Sequence, residues 1–279
     1  MKKLFILCCL CATAFFLYAN KSTEDIEIEV EIPSLHSQNV ILLNESGQSL
    51  YEKNADAIIY PASLTKIMTA IVAIEESDDL QKHAMIDAKT ISTYTAQYAS
   101  MAGFKAGDLV TIEDLLYGAI LPSGADATAT LANVIAGSEA AFVSLMNDKA
   151  QELGMNDTHF VNVSGLHHDA HVSSVRDLSK LFRYASENIL FYNILTTKSY
   201  VTAVPDKLTM SSTLYTKMAG VEDAVLGGKT GYTPEAGLCL ASLLEKNGER
   251  YFLITTNALG NVRSEPLHVQ DALSVHAAL

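Results

Sequence analysis

Two stretches of strand-like sequence, one near each end of the chain, enclose a long helix-like middle, and that order leaves few architectures open. From Asn39 to Leu43 the run NVILL, the turn Asn44-Glu45-Ser46-Gly47 and the segment Gln48 to Tyr51 read as a hairpin. After Val221 come LGGKTG, GLCLASLL and RYFLITTN, the last two joined by Lys246-Asn247-Gly248-Glu249, an Asn-Gly turn between strands. Between the two regions, from about Pro61 to Glu187, Ala, Leu and Met recur at helical spacing, with stop signals at Gly103, Gly107, Pro122, Gly137, Gly154 and Gly165. A last helix is expected from Pro266 to Leu279. The expected fold is α/β: an antiparallel sheet built from both chain ends, flanked by helices, plus a mainly helical lobe.

Residues 1–19, MKKLFILCCLCATAFFLYA, combine a charged start with an apolar run and no acid, the pattern of an export signal. Leu17 is bulkier than an ideal residue before a cut after Ala19, so an uncleaved N-terminal anchor is the alternative. Residues 20–36 contain the alternation KSTEDIEIEVEI and read as an acidic tether, with an edge strand as the other reading. Residues 37–279 form the expected catalytic domain. Three of four cysteines lie in the first segment, leaving Cys239 alone, so neither a disulfide nor a cysteine zinc cluster is available; Cys239 reads as a core residue. With 32 Asp and Glu against 19 Lys and Arg the chain repels phosphate backbones, which excludes nucleic acid as an expected partner. No phosphate-cradling glycine loop and no dinucleotide fingerprint is present.

Two short strings carry chemistry. In PASLTKIMTA, Ser63 and Lys66 stand one helical turn apart at the start of an apolar segment, so their side chains share a face. A serine becomes nucleophilic when a neighbour takes its proton, and a lysine does so once burial or another cation lowers its pKa. A helix cap and a surface lysine are the plainer reading of that pair alone. In GGKTGYTPEAG, Lys229, Thr230 and Gly231 precede a strand pattern, where small residues let a ligand backbone approach. Lys229 is the expected second cation that depresses Lys66, and Thr230 offers a hydroxyl to a carboxylate; an ordinary polar turn is again the plainer alternative. Each string occurs once, in the order and context of the serine acyl-transferase motif set.

Together with LYEKNADAIIYPASLTKIMTA, LPSGADATATLANVIAGS and LGMNDTHFVNVSGLHHDAHVSSVRDLSKLFRYA, these strings make the chain, from about Gln38 to Leu279, resemble the low-molecular-mass penicillin-binding proteins, the serine D-alanyl-D-alanine carboxypeptidases. The resemblance implies that Ser63 is the acylated nucleophile, Lys66 its general base and Ser123 a proton shuttle to the leaving amine. It implies that Lys229, Thr230, Gly231, Tyr232 and Arg263 serve substrate binding, and that the N–H groups of Ser63 and Tyr232 form the oxyanion hole. Expected partners are stem peptides ending in D-Ala-D-Ala and β-lactams, with no metal or cofactor. The expected location is outside the cytoplasm, at the cell wall, any membrane tie running through the N-terminal segment; no C-terminal β domain is expected.

One departure stands out. The family's second motif is Ser-x-Asn, whereas this chain has Ser123-Gly124-Ala125, and its literal Ser-x-Asn strings, at Ser37 and Ser186, lack the family context. Alanine removes a side-chain partner worth about 1 to 3 kcal/mol. A catalytically impaired binder of peptidoglycan or penicillin, acting as sensor or scaffold, is therefore the alternative function. A β-lactamase needs a carboxylate to activate the deacylating water, and Glu152, which begins ELGMN just ahead of the string LGMNDTHF, reads instead as a helix-surface acid. The cluster His167, His168, Asp169 and His171 reads as surface or substrate rim rather than zinc.

Overall fold

A computed structural model describes residues 31–203, 207–218 and 224–279. The expected export segment, residues 1–19, and the tether as far as residue 30 lie outside them; residues 31–38 form no strand. Strands β1 (Asn39–Asn44), β2 (Ser49–Lys53), β7 (Val225–Thr233), β8 (Gly237–Lys246) and β9 (Glu249–Ala258) make one antiparallel sheet in the order β2-β1-β9-β8-β7. Asn39 to Asn44 pair with Thr256 to Tyr251, which is the junction of the two chain ends. The β8–β9 turn is tight because both Asn247 and Gly248 adopt positive φ, 55° and 82°, the conformation that such hairpins require.

Alternation along the strands separates two faces. Ile41, Leu43, Leu243, Phe252 and Ile254 face the helical lobe. Val40, Leu42, Leu240, Leu244 and Leu253 face the terminal helix α8 (Leu267–Ala278) through Val269, Ala272 and Val275. Each such side chain contributes roughly 1.5 to 3 kcal/mol on full burial. Cys239 is buried within the sheet.

The lobe is organised around α1 (Thr65–Glu75), in which every residue from Thr65 to Ala73 is buried. A helix apolar nearly all round belongs in a core. Helices α3 (Ile112–Ile120), α4 (Ala125–Ala136) and α5 (Glu139–Glu152) pack around it, α2 (Ala88–Ala96) packs on α4, and α6 (Val175–Glu187) joins lobe to sheet, Phe182 meeting Phe252 edge-on at 6.0 Å. Helix α3 starts on a reciprocal cap between Thr111 and Asp114, and α4 stops at Gly137 with φ 78°. Helix α7 (Ile189–Thr196) and a small ribbon, β5 (Ser199–Val201) with β6 (Thr209–Ser211), complete the lobe.

The middle is less uniformly helical than its spacing predicts. A ribbon of β3 (His83–Met85) and β4 (Leu109–Thr111) interrupts it. Residues 153–174 run largely without regular structure, tied by the bridges Ile59↔Ser173 and His159↔Val172. Its apolar residues are buried by loop packing, so they imitate helical spacing without a helix.

Candidate active site

Ser63 lies in a single 3-10 turn, Ala62–Leu64, immediately before α1. Ala62 is held at φ 47°, a left-handed conformation that costs a non-glycine residue free energy and persists only where its surroundings impose it. Two glycines let neighbouring backbone pack closely against it. A Cβ on Gly165 would stand 1.9 Å from the Ala62 carbonyl oxygen, and one on Gly231 only 3.2 Å from the Ser63 amide nitrogen. The strand β7 and the 153–174 segment thus grip the serine turn from two sides.

Lys66, 2% exposed, donates from Nζ to Ser63 Oγ at 3.2 Å and to the Ser164 carbonyl at 2.5 Å. Burial lowers its pKa to about 7, opposed by the Asp126 carboxylate. Near neutral pH a large share of Lys66 is therefore free amine beside a hydroxyl. Lys229, on β7, is fully buried and donates to the Thr230 carbonyl at 2.9 Å. Its pKa is pushed well down by burial first and by Lys66 second. Burial is the main cause that depresses both lysines, and the two amines stand close enough to act on each other.

A cavity of about 280 Å³ opens over Ser63 and is lined also by Ser123, Thr213, Thr230, Gly231 and Tyr232. Ser123 sits between α3 and α4 at φ 66°, with its buried Oγ lacking a partner among the described residues. The Thr230 and Thr213 hydroxyls share a hydrogen bond of 2.7 Å. A nucleophile–amine pair, a further serine and a hydroxyl-bearing strand around one groove is the constellation of serine acyl transfer.

The profile of peptidase S11, described as D-alanyl-D-alanine carboxypeptidase, matches residues 26–260. The chain belongs to the D-alanyl-D-alanine carboxypeptidase family. It is 34% identical to DacF of Bacillus subtilis over 78% of this chain and 56% of that protein. It is 36% identical to the D-alanyl-D-alanine carboxypeptidase of Streptomyces sp. K15 over 74% of this chain and 75% of that one. For DacA of Escherichia coli the identity is 32%, over 87% and 61%. The chain thus spans somewhat over half the length of two of these relatives. The solved structure of the Streptomyces K15 DD-transpeptidase aligns with TM-score 0.81 and 30% identity, over 89% of this chain and 98% of that one.

Within this carboxypeptidase frame, several residues sit differently from their reading in the sequence. Ala125 opens α4, its N–H bonded to the carbonyl of Ser100, a groove residue, at 2.8 Å, and it is buried in a small apolar cluster with Tyr94, Ala129 and Leu166. Asp126 is fully buried, with Oδ1 accepting the Ala102 N–H at 2.7 Å and Oδ2 without a partner among the described residues; burial raises its pKa. Arg263 stands on an exposed loop, its backbone N–H on Asn261, and its guanidinium has no partner among the described residues. Glu152 is paired with Lys149 at 2.7 Å on the surface of α5.

His167, His168 and Asp169 are exposed, but His171 is not a rim residue: it is 2% exposed. Its Nδ1 accepts the Val161 N–H at 3.1 Å, so the proton is on Nε2, which donates to Thr65 Oγ1 at 2.8 Å. Thr65 Oγ1 in turn donates to the Ala62 carbonyl at 2.8 Å. His171 therefore ties the serine turn to the segment carrying Ser164, a link whose only sequence signal is a histidine among strongly apolar and small neighbours.

Proposed function

We propose that the protein is a serine D,D-carboxypeptidase that removes the terminal D-alanine from peptidoglycan stem peptides and is acylated by β-lactams. The observation that carries this reading is the 3.2 Å contact between Ser63 Oγ and a Lys66 amine whose pKa lies at about 7. Ser63 Oγ attacks the carbonyl of the penultimate D-alanine while its proton passes to Lys66 Nζ. The N–H groups of Ser63 and Tyr232 hold the developing oxyanion, and Gly231 leaves room for the substrate backbone along β7. The proton returns through Ser123 to the departing nitrogen, the C–N bond breaks and D-alanine leaves. Water, deprotonated by Lys66, then cleaves the acyl-enzyme ester and restores the serine.

Lys229 serves this scheme from beneath, fixing β7 through its bond to the Thr230 carbonyl, while Thr230 presents its hydroxyl to the substrate's carboxylate. A β-lactam follows the same first step, but its opened ring does not depart, and among the described residues no acid lines the groove to activate water, so the adduct persists. The family match and the carboxypeptidase relatives favour the enzyme over an impaired sensor. The charged and apolar start of the chain, residues 1–19, supports export, with residues 20–36 as tether and 37–279 as catalytic domain; action on the cell wall outside the cytoplasm follows.

The test is D-alanine release from a peptide ending in D-Ala-D-Ala, with mass spectrometry of the penicillin adduct. Wild type releases D-alanine and carries one adduct on Ser63, and Ser63→Ala does neither. Release by Ser63→Ala, or an adduct elsewhere, would overturn the assignment.

A further inference from the structure

We infer that His171 and Thr65 are positioning residues for the oxyanion hole, acting through the Ala62 carbonyl on the Ser63 N–H; this rests on the serine acyl-transfer reading and adds the residues that strengthen its anion-binding donor. The Ala62 carbonyl and the Ser63 N–H are two ends of one planar peptide group, in which resonance couples oxygen to nitrogen. A hydrogen bond accepted by that oxygen draws electron density from the nitrogen and makes its N–H a stronger donor, the cooperative effect of chained hydrogen bonds. Whatever donates to the Ala62 oxygen therefore tunes the N–H that meets the developing oxyanion.

Two donors converge on this oxygen, the Thr65 N–H and the Thr65 hydroxyl, the latter at 2.8 Å. A hydroxyl has one proton, and because it is spent on Ala62, Thr65 Oγ1 can only accept from His171. The histidine is fixed for that part: Nδ1 takes the Val161 N–H at 3.1 Å, which leaves the ring proton on Nε2, 2.8 Å from Thr65 Oγ1. Donors and acceptors thus run head to tail from the Val161 N–H through imidazole and hydroxyl to the Ala62 carbonyl. Ala62, Thr65 and His171 are all buried, so water does not compete for these bonds and each polarises the next more than it would in solvent. At the other end of the peptide, a Cβ on Gly231 would stand only 3.2 Å from the Ser63 nitrogen, and its absence keeps that side of the amide uncovered. A hydroxyl bonded to a carbonyl three residues back is ordinary at a helix start. A buried imidazole brought from 106 residues away to orient that hydroxyl is not, and it points to a task beyond capping.

The experiment resolves penicillin acylation into its noncovalent dissociation constant and its acylation rate constant, and records the ester carbonyl stretch of the acyl-enzyme by infrared difference spectroscopy. A donor whose bond strengthens as charge develops on the oxygen acts on the rate constant and not on ground-state binding. Two variants divide the imidazole. His171→Gln keeps a donor at the Nε2 end, facing Thr65, whereas His171→Asn keeps an acceptor at the Nδ1 end, facing Val161, and abandons Thr65. The glutamine variant acylates close to the wild-type rate. The asparagine variant slows by about tenfold or more with its dissociation constant unchanged, and its ester carbonyl absorbs at higher wavenumber because a weaker donor polarises it less. Thr65→Val reproduces the asparagine result and Thr65→Ser recovers the rate, which separates loss of the hydroxyl from misfolding. The inference is overturned if His171→Asn acylates as fast as His171→Gln with the same carbonyl stretch, or if Thr65→Val weakens penicillin binding as much as it slows acylation. His171 would then only fasten the loop to the helix. Absence of any Ser63 adduct in wild type is a different outcome, which overturns the acyl-transfer reading itself and this inference with it.

Discussion

A buried amine within reach of a hydroxyl acts as a base only when it has lost its proton, and burial has brought Lys66 to that point at about pH 7. Acylation of Ser63 by penicillin should rise with pH through that value and level off above it, a profile read from stopped-flow acylation rates. Lys66→Arg keeps the charge but cannot give up its proton, so acylation should fall by roughly 10² to 10⁴. Asp126 favours the ammonium form, so Asp126→Asn should move the rise to lower pH; an unmoved profile would show that its carboxylate does not act on Lys66. Ala125 makes a different point. An asparagine in its place puts an amide among Tyr94, Ala129 and Leu166, and the unpaired polar group should cost about 1 to 3 kcal/mol, visible as a lower Tm rather than faster turnover.

At the scale of elements, the serine turn is held by pieces far apart in sequence. Gly165 has φ 79° and no room for a side chain against the Ala62 carbonyl, so Gly165→Ala must push the turn or the loop aside. The expected result is loss of penicillin labelling together with a lowered Tm, whereas Gly107→Ala, also at positive φ but with open space around it, should leave labelling intact. The sheet could be read from the sequence because period-2 alternation and the Asn247-Gly248 turn are local signals. The pairing of Ser63 with Lys66 was legible for the same reason, since three residues of separation put both on one turn even though the first residue is 3-10 rather than α-helical. The Ser164 carbonyl that receives Lys66 lies 98 residues away, in a segment without regular structure, and nothing local announces it. Asp126 bears on Lys66 without a hydrogen bond to it, because a buried carboxylate acts at a distance through a weakly screening interior.

Taken as a whole, the molecule holds two lysines and two histidines in its interior in forms that water would protonate. Lys66 and Lys229 are depressed by burial, and His171 and His268 are each lowered to about 4. All four depressions have one sign: between its native and its ordinary pKa, each group binds a proton more readily in the unfolded chain than in the native one. Stability therefore rises with pH through these windows, from about 4 to 6.5 for the histidines and from about 7 to 10.5 for Lys66. The lysines weigh against the fold at neutral pH and are retained for the chemistry of the site, the trade-off expected of catalytic groups. Lys229→Met, an apolar side chain of similar length, should accordingly raise Tm at pH 7 while reducing acylation. It should also flatten the increase in Tm between pH 7 and pH 9 that the two depressed lysines predict for wild type. A Tm that falls in Lys229→Met would mean that the bond to the Thr230 carbonyl stabilises the sheet by more than burying the amine costs.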